Sequence, residues 1–293
     1  MNQALLIAGF GTTVPSAQEE LAALEAALAA AAPGWQTARA YTSGMVRRAL
    51  AARGRPVDSP AEALAKLKAA GVEEVFVQPT HFLCGIEYEK LKADAAAAAP
   101  GFARLRVGRP LLDGTGAVRA LAALLMELCP AAEGHAVIFM GHGTAAFANL
   151  AYPALQTVFE LAGRPDLRVG TVEGWPGLEE VHGWLRAHPA CRSVRLVPLL
   201  LAAGDHALHD MAGEDPGSWQ SILEKDGYEV SCTLRGLAAE PAFRQFCGPD
   251  GRGDEANRWP LNTLSAAGRR CCAAATPPAP ARPWPRRGRP GCC

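Results

Sequence analysis

Three polar residues stand in corners where short apolar runs end: His142 in Gly141-His142-Gly143-Thr144, Glu173 in Thr171-Val172-Glu173-Gly174-Trp175-Pro176, and His206 in Gly204-Asp205-His206-Ala207. An imidazole can ligate a divalent metal or take a proton near neutral pH. Glycines on both sides of His142 leave its ring exposed; the plainer alternative is a histidine that caps a turn. Glu173 alone reads as a solvated turn residue. With the two imidazoles it completes a two-His, one-carboxylate set, which suits a divalent first-row metal with open positions. Asp205 adjoins His206, but sequence neighbours usually point apart, and His209 and Asp210 are alternatives on the same loop.

A second group lies in Gln78-Pro79-Thr80-His81-Phe82-Leu83-Cys84-Gly85-Ile86-Glu87-Tyr88-Glu89. His81 reads either as a satisfied loop histidine or as a site residue. Glu87, near a helix start, is stabilised by the helix dipole whatever else it does, and Glu89 is expected to face solvent. Gly9-Phe10-Gly11-Thr12 resembles a fragment of a phosphate loop but lacks the full Gly-x-Gly-x-x-Gly and any Gly-Lys-Ser/Thr. That argues against a nucleotide site; the bare loop is better suited to a flat ligand. No Gly-x-Ser-x-Gly elbow occurs, and no cysteine declares itself a nucleophile.

The elements that must carry these residues alternate. Strands are expected at 4–8, 36–41, 73–79 and 104–108, with helices from Ser16 (as N-cap) to about Ala31, at 44–53, at 60–70 behind Ser59-Pro60, and at 86–98. The second half repeats the plan: strands at 136–140, 168–172, 193–198 and near 228–234, and helices near 147–163, from Pro176 to about 188, and near 217–226. Gly-Phe-Gly-Thr and Gly-His-Gly-Thr lie 132 residues apart, and the strand-ending Pro79 and Pro198 lie 119 apart. Strands alternating with helices predict parallel sheets covered on both faces, and two landmarks in one order predict duplicated α/β domains. Ligands of such sheets gather beyond the carboxyl ends of the strands, where His142, Glu173, His81, Glu87 and His206 all fall.

The chain has 293 residues, with 29 basic and 29 acidic. Eight arginines and two acids lie from Gly251 onward, which leaves 21 basic and 27 acidic residues in 1–250. An acidic body argues against nucleic-acid partners. No apolar run is long enough for a membrane span, and the opening MNQALLIAGFGTT lacks the features of a secretory signal, so a cytoplasmic protein is expected. Five cysteines are scattered singly through the body, which fits reduced thiols. Residues 249–293, rich in Pro, Arg and Ala with Cys271-Cys272 and Cys292-Cys293, are expected to be a disordered tail; a reading-frame change or a metal-binding appendage gives the same composition.

The stretches ALLIAGFGTT (4–13), AYTSGMVRRAL (40–50), VFVQPTHFLCGIEYEKL (75–91), FMGHGTAAFANLAYPAL (139–155), VGTVEGWPGLEEV (169–181) and LAAGDHALHDMAGEDPGSW (201–219) follow in order. Together they resemble the class II tetrapyrrole chelatases, most closely the anaerobic-type sirohydrochlorin cobaltochelatases of cobalamin biosynthesis. The resemblance implies two similar chelatase-like α/β domains, 1–130 and 131–248, each a parallel sheet flanked by helices, with an interdomain active-site cleft. It implies His142, Glu173 and His206 as the metal set, with His142 also the acceptor of pyrrole N–H protons. Glu87 matches an acidic cleft residue of the family, although Ile86 stands where a further acid often occurs. Phe10, Gly11, Thr12 and His81 are expected to bind the tetrapyrrole.

The activity so implied is a lyase reaction: ATP-independent insertion of Co2+ into sirohydrochlorin with release of two protons. Co2+ enters as substrate, and no tightly bound cofactor is expected. Arg47 and Arg48 are candidate partners of the macrocycle carboxylates, against plain surface solvation. The rival readings are insertion of Fe2+ or Ni2+, a non-catalytic haem or metal carrier using His142 and His206, and a two-lobed solute binder. The sequence leaves the oligomeric state open, a homo-oligomer included.

Overall fold

The structure is a computed structural model that describes residues 2–248; the expectations for 249–293 lie outside the described residues. Two four-stranded sheets, parallel throughout, carry the fold. The first holds β1 (Gln3–Gly9), β2 (Gln36–Tyr41), β3 (Glu74–Pro79) and β4 (Arg104–Val107) in the order β2-β1-β3-β4. The second holds β5 (His135–Gly141), β6 (Leu167–Thr171), β7 (Ser193–Pro198) and β8 (Glu229–Cys232) in the order β6-β5-β7-β8. The shared order is the structural form of the repeat read in the sequence. In each sheet the chain reverses its direction of travel between the first and third strands, and crevices form beyond such switch points.

The helices are α1 (Pro15–Ala30), α2 (Gly44–Ala52), α3 (Pro60–Ala69), α4 (Ile86–Ala98), α5 (Thr115–Leu128), α6 (Ala151–Leu161), α7 (Leu178–Ala187), α8 (Trp219–Lys225) and α9 (Pro241–Cys247). Local chemistry fixes several starts. Ser59 and Glu62 form a reciprocal capping box on α3 with Pro60 at its first position, and the Ser43 side chain caps α2. Ser16 does not cap α1: the helix starts at Pro15, two residues before the position a Ser16 cap implies, with Val14 as N-cap; Pro15 needs no partner for its nitrogen, and the Thr12 hydroxyl accepts the Val14 N–H at 3.2 Å. The sequence reading passes over α5 entirely.

The core is apolar on both sides of each sheet. Leu6, Val75 and Val77 pack with Leu64, Leu67, Tyr88 and Leu91 of α3 and α4. Ile138, Met140 and Leu196 pack with Val181 and Leu185 of α7 and with Trp219 and Leu223 of α8. Helix α5, which follows the first sheet, packs on α6 beside the second, while the C-terminal α9 packs on α1 beside the first. Glu20 of α1 strengthens this exchange by accepting the backbone N–H groups of Ala203 (2.8 Å) and Gly236 (3.1 Å) from the second half.

Candidate metal centre

His142 follows the last residue of β5, and Glu173 lies two residues beyond β6. The parallel ladder runs on past both strand ends: Val172 N–H donates to Gly141 O at 3.0 Å and Glu173 N–H to His142 O at 2.7 Å. This brings imidazole and carboxylate together, with His142 Nδ1 3.8 Å from Glu173 Oε2. The glycine after each of them is required. Gly143 has φ +85° and a Cβ there would lie 2.4 Å from Gly174 N; a Cβ on Gly174 would lie 2.4 Å from Asn149 Oδ1. That Asn149 oxygen accepts the Thr144 N–H at 3.0 Å, and its amide donates to Trp175 O, tying the β5 corner to the β6 corner. Buried Tyr152 lies under Gly141 and accepts the Gly143 N–H at 3.5 Å; burial pushes its phenol up to about 12.

His206 arrives from β7 through a loop anchored at Leu199 N–H on Met140 O (2.8 Å) and at Ala203 N–H on Glu20. It stands at the start of a π-turn, Ala207–Met211. Its ring meets His142 edge to face, centroids 4.6 Å apart and planes at 85°. One donor atom from each of His142, Glu173 and His206 falls within 4.8 Å of the others. Two donors at about 2.1 Å from one ion lie at most about 4.2 Å apart, so side-chain adjustments of under an ångström close the set on a metal. Their side chains are open to solvent, His206 least so. His142 and His206 flank the switch point of the second sheet and Glu173 extends from its edge strand, so all three donors come from one half.

The carboxylate on His206 is Asp210, at 2.6 Å from Nδ1, while Asp205 pairs with His209 at 3.4 Å. The i, i+4 spacing, which links His206 to Asp210 and Asp205 to His209, was the available signal for both pairs. Glu20 and Asn149, which hold the loops that carry these side chains, have no sequence signature.

The family model for cobalt chelatase (CbiK) matches residues 3–247. The chain belongs to this family. It is 38% identical over 247 residues to the sirohydrochlorin cobaltochelatase of Salmonella typhimurium, covering 83% of this chain and 93% of that one. It is 36% identical over 243 residues to the sirohydrochlorin cobaltochelatase CbiKC of Nitratidesulfovibrio vulgaris, covering 82% and 86%. Among solved structures, SirB from Bacillus subtilis with Fe3+ superposes with a TM-score of 0.57 at 16% identity, over 84% of this chain and 92% of that one, which supports the two-sheet chelatase fold.

The other residues expected at the chelatase site belong to the first half. His81 is buried, its Nε2 3.2 Å from Thr42 Oγ1 and its Nδ1 without a hydrogen bond among the described residues. Burial pushes its imidazole down to about 4, against the opposing pull of Glu87. Glu87 stands in the first turn of α4; its Oε1 accepts from Lys90 Nζ at 2.6 Å and its buried Oε2 has no hydrogen-bond partner among the described residues. Phe10 is half exposed. Gly11, at φ +87°, lies against the Tyr41 ring, and Thr12 Oγ1 would be 3.5 Å from a Cβ on Gly204, so this loop touches the loop that carries His206. Arg47 pairs with Glu62 at 3.6 Å. A cavity of about 610 Å³ between α1 and β2, lined by Ala22, Glu25, Arg39 and Lys66, includes none of the expected site residues.

Proposed function

We propose that this chelatase is a lyase that inserts Co2+ into sirohydrochlorin without ATP. The observation that carries the reading is the convergence of His142, Glu173 and His206 within 4.8 Å in a chain of the cobalt chelatase family. Two neutral nitrogens and one carboxylate hold a divalent ion while leaving positions open to an incoming macrocycle. His142 has two successive roles, because one lone pair cannot bind metal and proton together. Its Nδ1 lies 2.9 Å from Gly143 O, and a carbonyl only accepts, so Nδ1 carries the proton and Nε2 the lone pair. As the metal passes to the macrocycle nitrogens, that lone pair is released and takes a pyrrole proton. Glu87, with a carboxylate oxygen that has no hydrogen-bond partner among the described residues, takes the second pyrrole proton.

In this reading Phe10, Gly11 and Thr12 form the floor on which the flat substrate lies, and His81, neutral in the fold, contacts it. The domains are 1–130 and 131–248, locked by the exchange of α5 and α9. Free thiols at Cys84, Cys129, Cys191, Cys232 and Cys247 support a reducing cytoplasmic setting. Donor type alone does not separate Co2+ from Fe2+ or Ni2+, so the test compares the three at equal concentration with anaerobic sirohydrochlorin. Co2+ is expected to give the largest kcat/KM; Co2+ insertion no faster than the uncatalysed rate would refute the proposal.

A further inference from the structure

The two imidazoles of the metal set differ in what holds them. Both use Nδ1 as a donor, but His142 donates to the peptide carbonyl of Gly143 at 2.9 Å, whereas His206 donates to the carboxylate of Asp210 at 2.6 Å. An ionised carboxylate only accepts, so the contact places the His206 proton on Nδ1 and leaves Nε2 free. A charged acceptor also gives a shorter, stronger bond than a neutral one. The same turn carries a second His–Asp pair, His209 with Asp205, but that pair is longer, at 3.4 Å, and its side chains are 72% and 81% exposed. The turn itself is built to hold Asp210 in place. Ala207 and Met211 on either side are fully buried, and Gly213 N–H closes the turn on His209 O at 3.2 Å, at a position where a Cβ would lie 2.4 Å from that oxygen.

We propose that Asp210 is a positioning residue that fixes the tautomer and orientation of His206 and makes it the stronger, resident metal ligand. His142, backed only by a carbonyl, is then the imidazole that lets go of the metal and receives a proton. This rests on the metal-site reading above and adds a division of labour between the two histidines. Outer-shell carboxylates on ligating histidines typically change metal affinity by 10–100-fold.

The test uses the full chain with Co2+ alone as the probe. Titrations of wild type, Asp210→Asn, Asp210→Glu and His206→Ala are followed by calorimetry and by the visible absorption of bound Co2+. Nitrogen NMR of the metal-free protein reads the His206 tautomer. The expected result is an Nδ1–H tautomer in the wild type and Co2+ affinity lowered about 10–100-fold in Asp210→Asn. Asp210→Glu is expected to recover part of that loss, and the melting temperature of Asp210→Asn to stay unchanged. If Asp210→Asn binds Co2+ within twofold of wild type while His206→Ala loses it, the role of Asp210 is overturned and the metal site stands. If His206→Ala also binds like wild type, the metal-site reading falls and the proposal with it.

Discussion

Single side chains carry two predictions that separate chemistry from stability. Glu173→Gln keeps the shape of the β6 corner and removes a negative charge from the donor set. It should weaken Co2+ binding by about tenfold or more, with melting unchanged, since the side chain is exposed and charge-assisted ligation is what it supplies. Equal affinity by calorimetry would remove Glu173 from the set. His81, beyond its proposed contact with the substrate, bears on stability. Its imidazole falls to about 4 in the fold against 6.5 for a free histidine, chiefly through burial, so between those values the unfolded chain binds more protons than the folded one. The stability it contributes is complete above pH 6.5 and is lost as the pH falls toward 4, by about 3 kcal/mol in all. Urea unfolding at pH 7 and pH 4.5 should show a smaller acid loss in His81→Gln than in wild type; the same loss in both would contradict this. At this scale the three proposed metal donors stand out in the sequence because glycine and proline punctuation isolates them. The pairing of His206 with Asp210 does not, because an i, i+4 contact needs a helical turn and this stretch reads in the sequence as a loop.

At the scale of elements, the centre depends on two corners pressed against each other at Gly143 and Gly174. Gly143→Ala places a Cβ against Gly174 N at a positive φ, which costs about 1–3 kcal/mol. The strain falls between His142 and Glu173, so Co2+ affinity should drop together with the melting temperature. An alanine variant that melts and binds like wild type would show that the corners do not need this contact. The central strands β1, β3, β5 and β7 were readable from apolar runs ended by Gly or Pro. Helix α5 was missed although Ala117, Val118, Leu121, Ala122 and Leu125 form a clear buried stripe. Its N-cap, Gly114, offers no side-chain signal, and its packing partner α6 belongs to the other half, so a reading that fills each half with its own helices leaves it out. The N-terminus of α1 was misplaced for a related reason. Ser16 is a good cap by type, but Pro15 already occupies the first helical position.

For the molecule as a whole, the repeated strand order is one scaffold used in two ways. In the proposed site the second half supplies the metal donors, and the first supplies the loop of Phe10, Gly11 and Thr12, which touches the loop that carries His206 at Gly204. Glu20 joins the halves, and Glu20→Ala leaves the Ala203 and Gly236 N–H groups without their acceptor. That should cost about 1–3 kcal/mol and lower the melting temperature by several degrees. It should also raise KM for Co2+, because Ala203 lies in the loop that presents His206; a variant with wild-type melting and KM would show that the staple does not position that loop. The duplication was visible in the two glycine corners and two strand-ending prolines, whereas the exchange of α5 and α9 depends on long-range packing that no local pattern records. The proposed double role of His142, as metal ligand and as acceptor of a pyrrole proton, is open to a direct measurement: the absorption of sirohydrochlorin, in large excess over protein, is followed with Co2+ under anaerobic conditions. Many turnovers by the wild type and turnover at the uncatalysed rate in His142→Ala are predicted; a His142→Ala variant that turns over like wild type would contradict the account.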